Sequence, residues 1–336
     1  MIHNNNFLIN NLENVVFIGE STKFKELVAI NNSLKLKTTI ITSSDQSRLI
    51  NKNIKYKIFN NLDSKFYNFI KKNFDVEKTL FISIGARFIF KPMDITSIFK
   101  NNLINVHGTR LPLDSGGGGF SWKIMREDRI DNQCFHVVDS TVDTGPIIFN
   151  KLSIIPKTCI TPEDFLKLRS ENFYKFYEEF IKILKKGEKF QLKPQLNYLG
   201  RYNPRLDTEK DGYIDWSMNS YDLINFINAF ETPHKGASTF LNNKKYGKLY
   251  IKKAQLHGGD SSNHPFMAGI VSRHDKLWIV VSTNSKHMLL IEQVLDKFGK
   301  NILNKIKLGD RFYTPVKFLE NSFKMRSRFV SKGLKK

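Results

Sequence analysis

The sequence is poor in cysteine: Cys134 and Cys159 are its two cysteines, and no Cys-x-x-Cys spacing occurs. Two isolated cysteines exclude a disulfide framework and a thiolate zinc site. The chain also has no apolar run that approaches the roughly 18 residues of a membrane helix. Its Asn-rich start lacks the apolar core of a signal peptide. We therefore expect a cytoplasmic protein with no membrane partner.

Several common ligand motifs are missing too. The first buried strand is not followed by Gly-x-Gly-x-x-Gly, and no Gly-x-x-x-x-Gly-Lys-Ser/Thr or His-Glu-x-x-His pattern occurs. These absences argue against standard NAD or ATP binding, and they predict no metal site. The histidines other than His107 are interpreted as ordinary polar residues.

Acidic residues are few relative to basic ones. The chain has 53 Lys and Arg against 32 Asp and Glu, a net charge of +21. Such a balance suits an anionic partner such as phosphate, a polyglutamate tail or nucleic acid. The lysines are scattered along the chain rather than concentrated in one arm, so we interpret the net charge mainly as that of ordinary solvated lysines. With 40% hydrophobic residues, including 28 Phe, the chain can bury a substantial core.

The first half of the sequence alternates between strand-like and helix-like segments. A helix is also clear over residues 161–187, where Thr161 and Pro162 precede two acidic residues and spaced apolar ones. The predicted strands are residues 15–19, 37–42, 54–59, 79–85 and 103–107, and the predicted helices are 24–30 and 66–74. This order predicts an α/β fold with a Rossmann-like, mostly parallel sheet.

The pattern changes after about residue 200. A helix is predicted over residues 221–230, and short strands follow at residues 237–241, 248–253, 268–272, 277–282 and 288–294. Strands at this spacing predict a small β-rich domain, either a barrel or a sandwich. We expect a catalytic domain at 1–200, a helical connection at 201–240 that completes the active site, the β-rich domain at 241–331 and a basic tail at 332–336.

The strand that ends in Asn105-Val106-His107 carries the first candidate site. Side chains alternate along a strand, so Asn105 and His107 share a face. A neutral amide that holds an oxyanion, beside an imidazole that handles a proton, suits acyl transfer. The pair alone is weakly specific, because short motifs of this kind are usually structural.

Asp143 is the second candidate, in a turn-like stretch before an apolar strand. It either caps this turn or reaches His107, orients the imidazole and stabilises the imidazolium. The four glycines at 116–119 would let the backbone approach a ligand closely.

Taken together, these residues resemble the formyltransferases that use N10-formyltetrahydrofolate. That family shares the Asn-x-His strand end and a later Asp-Thr-Gly before an apolar strand, here residues 143–148. The likeness continues through residues 201–206, 211–217 and 236–240. It implies catalytic roles for Asn105, His107 and Asp143, with N10-formyltetrahydrofolate as the formyl donor.

Within the family, Thr109-Arg110-Leu111-Pro112, the glycine run and residues 309–315 resemble the sugar N-formyltransferases. The acceptor implied is a nucleotide-linked amino sugar, best dTDP-4-amino-4,6-dideoxyglucose, in surface polysaccharide (O-antigen) synthesis. A homodimer without a nucleic-acid partner is expected. The position of the amine at sugar C3 or C4 stays open.

The resemblance also implies ligand contacts. Phe88 and Phe90 could equally be core residues, Trp122 likewise, and Arg201 and Arg205 could form surface salt bridges. The predicted folate-binding residues are Ser83, Gly85, Arg87, Phe88, Ile89, Phe90, Asp139, Thr141 and Val142. The predicted acceptor-binding residues are Gly117, Gly118, Trp122, Lys123, Arg201 and Arg205.

Two alternatives remain. A methionyl-tRNA formyltransferase would account for the positive charge and would show steeply salt-dependent tRNA binding. A hydrolase would use the same three catalytic residues to deformylate the folate, and it would release folate without any amine.

Overall fold

Strands and helices alternate along the first half of the chain in the computed structural model, which describes residues 5–86, 88–117, 119–196, 200–242 and 246–324 and the backbone of 328–330 and 333–335. The strands are β1 (Asn6–Phe7), β2 (Asn14–Gly19), β3 (Lys37–Thr42), β4 (Lys57–Ile58), β5 (Thr79–Ile84), β6 (Leu103–His107), β7 (Asp114–Gly116), β8 (Ile130–Val137), β9 (Ile147–Ile154), β10 (Phe190–Gln191), β11 (Arg201–Asn203), β12 (Ala237–Leu241), β13 (Lys248–His257), β14 (Val271–His274), β15 (Ile279–Val281), β16 (Met288–Leu295), β17 (Phe312–Tyr313), β18 (Arg328–Val330) and β19 (Gly333–Lys335). The α-helices are α1 (Phe24–Ser33), α2 (Ser64–Asn73), α3 (Pro92–Ser97), α4 (Gly119–Met125), α5 (Pro162–Lys185), α6 (Thr208–Asp211), α7 (Ser220–Ala229) and α8 (Val316–Lys324).

The larger sheet has the strand order β4-β3-β2-β5-β6-β8-β9. Strands β4, β3, β2, β5 and β6 are parallel, whereas β8 and β9 pair antiparallel at one side. Every residue of β5 is buried, as expected of a parallel strand that is covered on both faces. The predicted fold class, α/β with a mostly parallel sheet, is confirmed.

Helices cover both faces of this sheet. Val15 and Phe17 of β2 pack into one apolar cluster with α1 and α5, and Val16 and Ile18 pack into another with α2 and α3. Alternate side chains of a strand point to opposite faces, so the continuous apolar run of β2 joins two helical layers across the sheet.

Helix α5 confirms the prediction for residues 161–187 and helps to position the site. Thr161 and Asp164 form a reciprocal capping box at its start, which satisfies N–H groups that the helix leaves unpaired. Phe176 of α5 stacks on Phe135 of β8, with ring centroids 4.9 Å apart. This contact holds β8 against the helix, and the residue after Phe135 consequently faces the other side of the sheet.

The C-terminal strands form an antiparallel sheet in the order β14-β15-β16-β13-β12-β17. A bridge between Ile270 and Arg311 joins its two edges, so the sheet closes into a small barrel. Helix α7 packs against the barrel, because Leu223 and Ile227 share an apolar cluster with Ile251 of β13. Of the two predicted forms, the structure selects the barrel.

The structure departs from the sequence prediction in a few elements. The strand predicted over residues 54–59 shortens to Lys57–Ile58, two exposed residues. Helices α4 and α8 and strand β8 were not predicted. Among the described residues, no helix has both the length and the apolar character needed to cross a membrane.

Candidate functional site

A cavity of about 1010 Å³ opens where β5 and β6 end. This is the edge at which open α/β sheets usually bind ligands. The cavity continues from the sheet to α7 and α8, and Phe230 and Leu319 form part of its wall. It therefore lies between the parallel sheet and the C-terminal part of the chain.

Asn105 and His107 both line this cavity, as their shared face on β6 predicts. The His107 side chain is 10% exposed, and its Nδ1 lies 3.4 Å from Oδ1 of Asp143. The other ring nitrogen, Nε2, contacts the Thr109 hydroxyl, and that hydroxyl donates to the Asp114 carbonyl. Burial lowers the pKa of His107 to about 4, although the Asp143 charge opposes the shift. His107 is therefore a neutral base at neutral pH.

Asp143 reaches the site from a strained loop position with φ of +60°. Asp tolerates this left-handed backbone better than most residues. Its Oδ2 accepts the Gly116 N–H at 3.2 Å, and Gln195 donates to its main-chain carbonyl at 3.0 Å. Burial raises the pKa of the carboxyl, but its interactions with the nearby His136 and His107 outweigh this effect, so the pKa is lowered. Asp143 is thus an ionised group beside His107.

His136 also lines the cavity, although the sequence predicted an ordinary polar residue at this position. It is buried on β8, directly across from Asn105 in the antiparallel pairing. The Asn105 amide nitrogen lies 3.1 Å from His136 Nε2, and Asp143 Oδ1 lies 3.7 Å from the same atom. The ring contacts both predicted residues and holds them together. The sequence does contain a signal that could have identified His136 as a site residue: it precedes Asp143 by only a short turn-like stretch.

Most of the predicted folate-binding residues line the cavity. Phe88 and Phe90 are 9% and 6% exposed and also belong to an apolar cluster of the core. Gly85 does not line the cavity, and its carbonyl accepts a hydrogen bond from the Gln46 amide at 2.8 Å. Arg87 lies outside the described residues. The predicted residues that line the cavity are Ser83, Phe88, Ile89, Phe90, Asp139, Thr141 and Val142.

The predicted acceptor-binding residues divide into two groups. Gly117, Trp122 and Arg205 line the cavity, and the Trp122 indole donates to the Pro204 carbonyl at 2.8 Å. A Cβ on Gly117 would meet Arg205 Cβ at 2.9 Å, so the chain requires glycine there. Gly118 lies outside the described residues.

Two of the predicted acceptor-binding residues do not line the cavity. Lys123 is fully buried away from the cavity, where its ammonium lies 3.9 Å from Asp128 and donates to the Ile130 carbonyl. A buried ammonium needs such partners. Arg201 is also outside the cavity, and its Nε donates to Asp114 at 2.8 Å.

The chain is similar to known formyltransferases. Residues 208–305 match the family model described as "Formyl transferase, C-terminal domain". A methionyl-tRNA formyltransferase of Malacoplasma penetrans is 28% identical over 286 residues, which are 81% of this chain and 83% of that protein.

Two solved structures share the fold. One is an N-formyltransferase from Helicobacter canadensis in complex with folinic acid and dTDP-3-aminofucose, with a TM-score of 0.59, 16% identity and coverage of 84% of this chain and 99% of the other. The second is a 4-N formyltransferase from Francisella tularensis, with a TM-score of 0.54, 16% identity and coverage of 68% and 93%.

Proposed function

We propose that this chain, a formyltransferase by its C-terminal domain, its fold and its relatives, transfers a formyl group from N10-formyltetrahydrofolate to the amine of a nucleotide-linked amino sugar. The acceptor that we favour is dTDP-4-amino-4,6-dideoxyglucose, used in O-antigen synthesis by a cytoplasmic homodimer. One observation carries the proposal: Asn105, His107 and Asp143 meet in a cavity of about 1010 Å³. That volume reaches the upper end of ordinary ligand sites, so it suits two substrates side by side.

The part of the cavity lined by residues that follow β5 and β8 suits the folate. Phe88, Ile89 and Val142 offer apolar surface for a flat ring, while Ser83 and Asp139 bring polar groups to the same cavity. A pterin has this combination of a flat face and polar edges. Two proteins of this fold were solved with folates, which supports a folate as the donor.

His107 and Asp143 would act as the base. The amine attacks the formyl carbon as a neutral nucleophile, and the new C–N bond leaves a proton to be removed. Nδ1 of neutral His107 can take that proton, and Asp143 at 3.4 Å then stabilises the imidazolium. The imidazolium returns the proton to the departing folate nitrogen as its bond to the formyl carbon breaks. Both substrates are thus converted with no net change in protonation of the protein.

Asn105 would hold the oxyanion of the tetrahedral intermediate. One N–H of its amide faces His136 Nε2 at 3.1 Å. Because an amide nitrogen carries two N–H groups, this contact orients the second, which can donate to the developing charge. His136 is accordingly a positioning residue that acts through Asn105.

Arg205 would bind the diphosphate of the acceptor, because a guanidinium matches phosphate oxygens. We expect Arg205→Gln to raise KM for the nucleotide sugar by about 10- to 100-fold with little change in kcat, which corresponds to the loss of one or two charge-assisted hydrogen bonds. Arg201→Gln is the matched control, since Arg201 lies nearby but outside the cavity. Equal effects of the two variants on KM, measured in steady-state kinetics, would contradict this role.

The acceptor itself is tested with a panel. Purified protein is incubated with N10-formyltetrahydrofolate and with dTDP-4-amino-4,6-dideoxyglucose, its 3-amino isomer or methionyl-tRNA, and products are identified by mass spectrometry. We expect formylation of the 4-amino sugar. Formylation of the 3-amino isomer instead would assign the acceptor amine to sugar C3. Formylation of tRNA alone would contradict the proposal of a sugar acceptor.

Two observations favour the tRNA alternative: the similarity to the methionyl-tRNA formyltransferase of Malacoplasma penetrans and the charge of the C-terminal part of the chain. Residues 241–336 contain 20 Lys and Arg against 6 Asp and Glu, so the excess of basic residues is large in this part of the chain. Basic surfaces bind nucleic acid through phosphate contacts that weaken steeply with salt. The sugar proposal expects tRNA affinity to be weak at physiological salt in filter binding or anisotropy. Tight binding under those conditions would favour the methionyl-tRNA reaction.

A further inference from the structure

Hydrogen-bond partners outside the cavity determine which ring nitrogen of His107 and of His136 carries the proton. The Thr109 hydroxyl gives its one proton to the Asp114 carbonyl, so its oxygen accepts the Nε2–H of His107. The Val137 carbonyl lies 2.9 Å from Nδ1 of His136 and therefore accepts the Nδ1–H. Each imidazole thus presents its remaining nitrogen, with a lone pair, to the interior of the site.

These two lone pairs converge on the Asp143 carboxylate. His107 Nδ1 lies 3.4 Å and His136 Nε2 lies 3.7 Å from Asp143 Oδ1. The three donor atoms all lie within 4.8 Å of one another. Ligand atoms around a tetrahedral zinc ion are separated by about 3.3 Å, given bonds of about 2.0 to 2.1 Å. The two separations from Asp143 to the histidine nitrogens, 3.4 and 3.7 Å, approach that value.

We propose that His107, His136 and Asp143 bind a divalent transition-metal ion, zinc above all, through Nδ1, Nε2 and a carboxylate oxygen. Two imidazoles and one carboxylate form a donor set typical of zinc sites, with the cavity at the remaining position. Metal-binding histidines usually donate their other N–H to an oxygen acceptor, which fixes the tautomer. Thr109 and the Val137 carbonyl have this role here.

Such an ion would inhibit formyl transfer. It occupies the Nδ1 lone pair that the reaction uses as a base, and it replaces the Asn105 N–H at His136 Nε2. Both the proton acceptor and the orientation of the oxyanion donor are lost together. This consequence rests on the proposed function, whereas metal binding itself does not.

Cobalt absorption tests the site directly. Tag-free protein is titrated with Co²⁺, whose visible d–d bands report low-coordinate nitrogen and oxygen ligation, and Zn²⁺ is then added as a competitor. We expect one Co²⁺ per chain with strong visible bands, and stoichiometric displacement by Zn²⁺. His136→Phe should weaken Co²⁺ affinity by at least about 10²-fold, more than the loss of an outer-shell partner usually costs. His274→Phe, an exposed histidine of β14, should leave the affinity unchanged.

Circular dichroism confirms the folding of each variant, and Asp143→Asn replaces His136→Phe if the latter does not fold. Wild-type protein without visible bands at stoichiometric Co²⁺ would overturn the proposal. Bands that persist in the folded ligand variants would also overturn it, because the metal would then lie elsewhere. Formyl transfer is assayed separately with Zn²⁺ and after chelation. Metal binding without any transfer activity would leave this site in place and reject the proposed function.

Discussion

Replacing His107 with asparagine is expected to lower kcat for formyl transfer by at least about 10²-fold, the range that general bases contribute. Asparagine keeps a polar side chain of similar reach but has no lone pair basic enough to take the amine proton. The wild-type kcat should also fall as pH approaches about 4, where burial places the His107 pKa. That acid limb should be absent from the residual activity of the variant.

The measurement is kcat against pH for both proteins, with KM for each substrate. His274→Asn is a suitable control, because His274 lies exposed on the barrel and outside the cavity. Its kcat should match the wild type. A His107 variant that loses less than about tenfold in kcat and keeps the acid limb would show that another group accepts the proton.

Asp143→Asn is expected to lower kcat by about 10²- to 10⁴-fold with a much smaller change in KM. Loss of the orienting carboxylate in a Ser-His-Asp triad costs about 10⁴-fold, and here the carboxylate also lies 3.4 Å from His107 Nδ1. The amide cannot stabilise the imidazolium, so the pKa of His107 should fall further, since the Asp143 charge now raises it.

Asp139→Asn is the informative comparison for Asp143→Asn. Asp139 lines the same cavity but accepts hydrogen bonds from Thr141 and Thr144 rather than contacting His107. We expect its replacement to act mainly on KM for the folate. Equal losses of kcat in both variants would mean that charge in the cavity, rather than the contact with His107, explains the effect of Asp143.

Local signals made much of the fold predictable. The cap at Thr161 and the spaced apolar residues after it define α5, and continuous apolar runs define β2 and β5. The face shared by Asn105 and His107 follows from strand geometry alone. Each of these features depends on residues close together in sequence, where propensity and periodicity are informative.

Strand β8 and His136 were not predictable in the same way. The first half of β8 contains three polar residues that are nevertheless buried. Asp131 accepts a hydrogen bond from the Arg169 side chain, Asn132 donates to the Thr109 carbonyl and Gln133 donates to the Arg169 carbonyl. Their polarity conceals a buried strand from any hydrophobic pattern. The neighbour relation of His136 and Asn105 needs the antiparallel register of β6 and β8, which is a tertiary property.

The sequence also did not show where the Lys123 side chain points. Its position after the glycine run suggests a contact with the sugar, but α4 points the side chain into the protein, between Asp128 and Asp131. Sequence shows which residues can carry charge, and packing decides whether that charge meets a ligand or a buried partner.

We propose that Asn105, His107 and Asp143 together transfer a formyl group to an amine. The most direct test is tetrahydrofolate release from N10-formyltetrahydrofolate, followed with and without the dTDP-4-amino sugar. We predict release only when the acceptor is present, equal in amount to the formylated sugar, and lost in His107→Asn. Release at the same rate without any amine would contradict the account and identify a hydrolase.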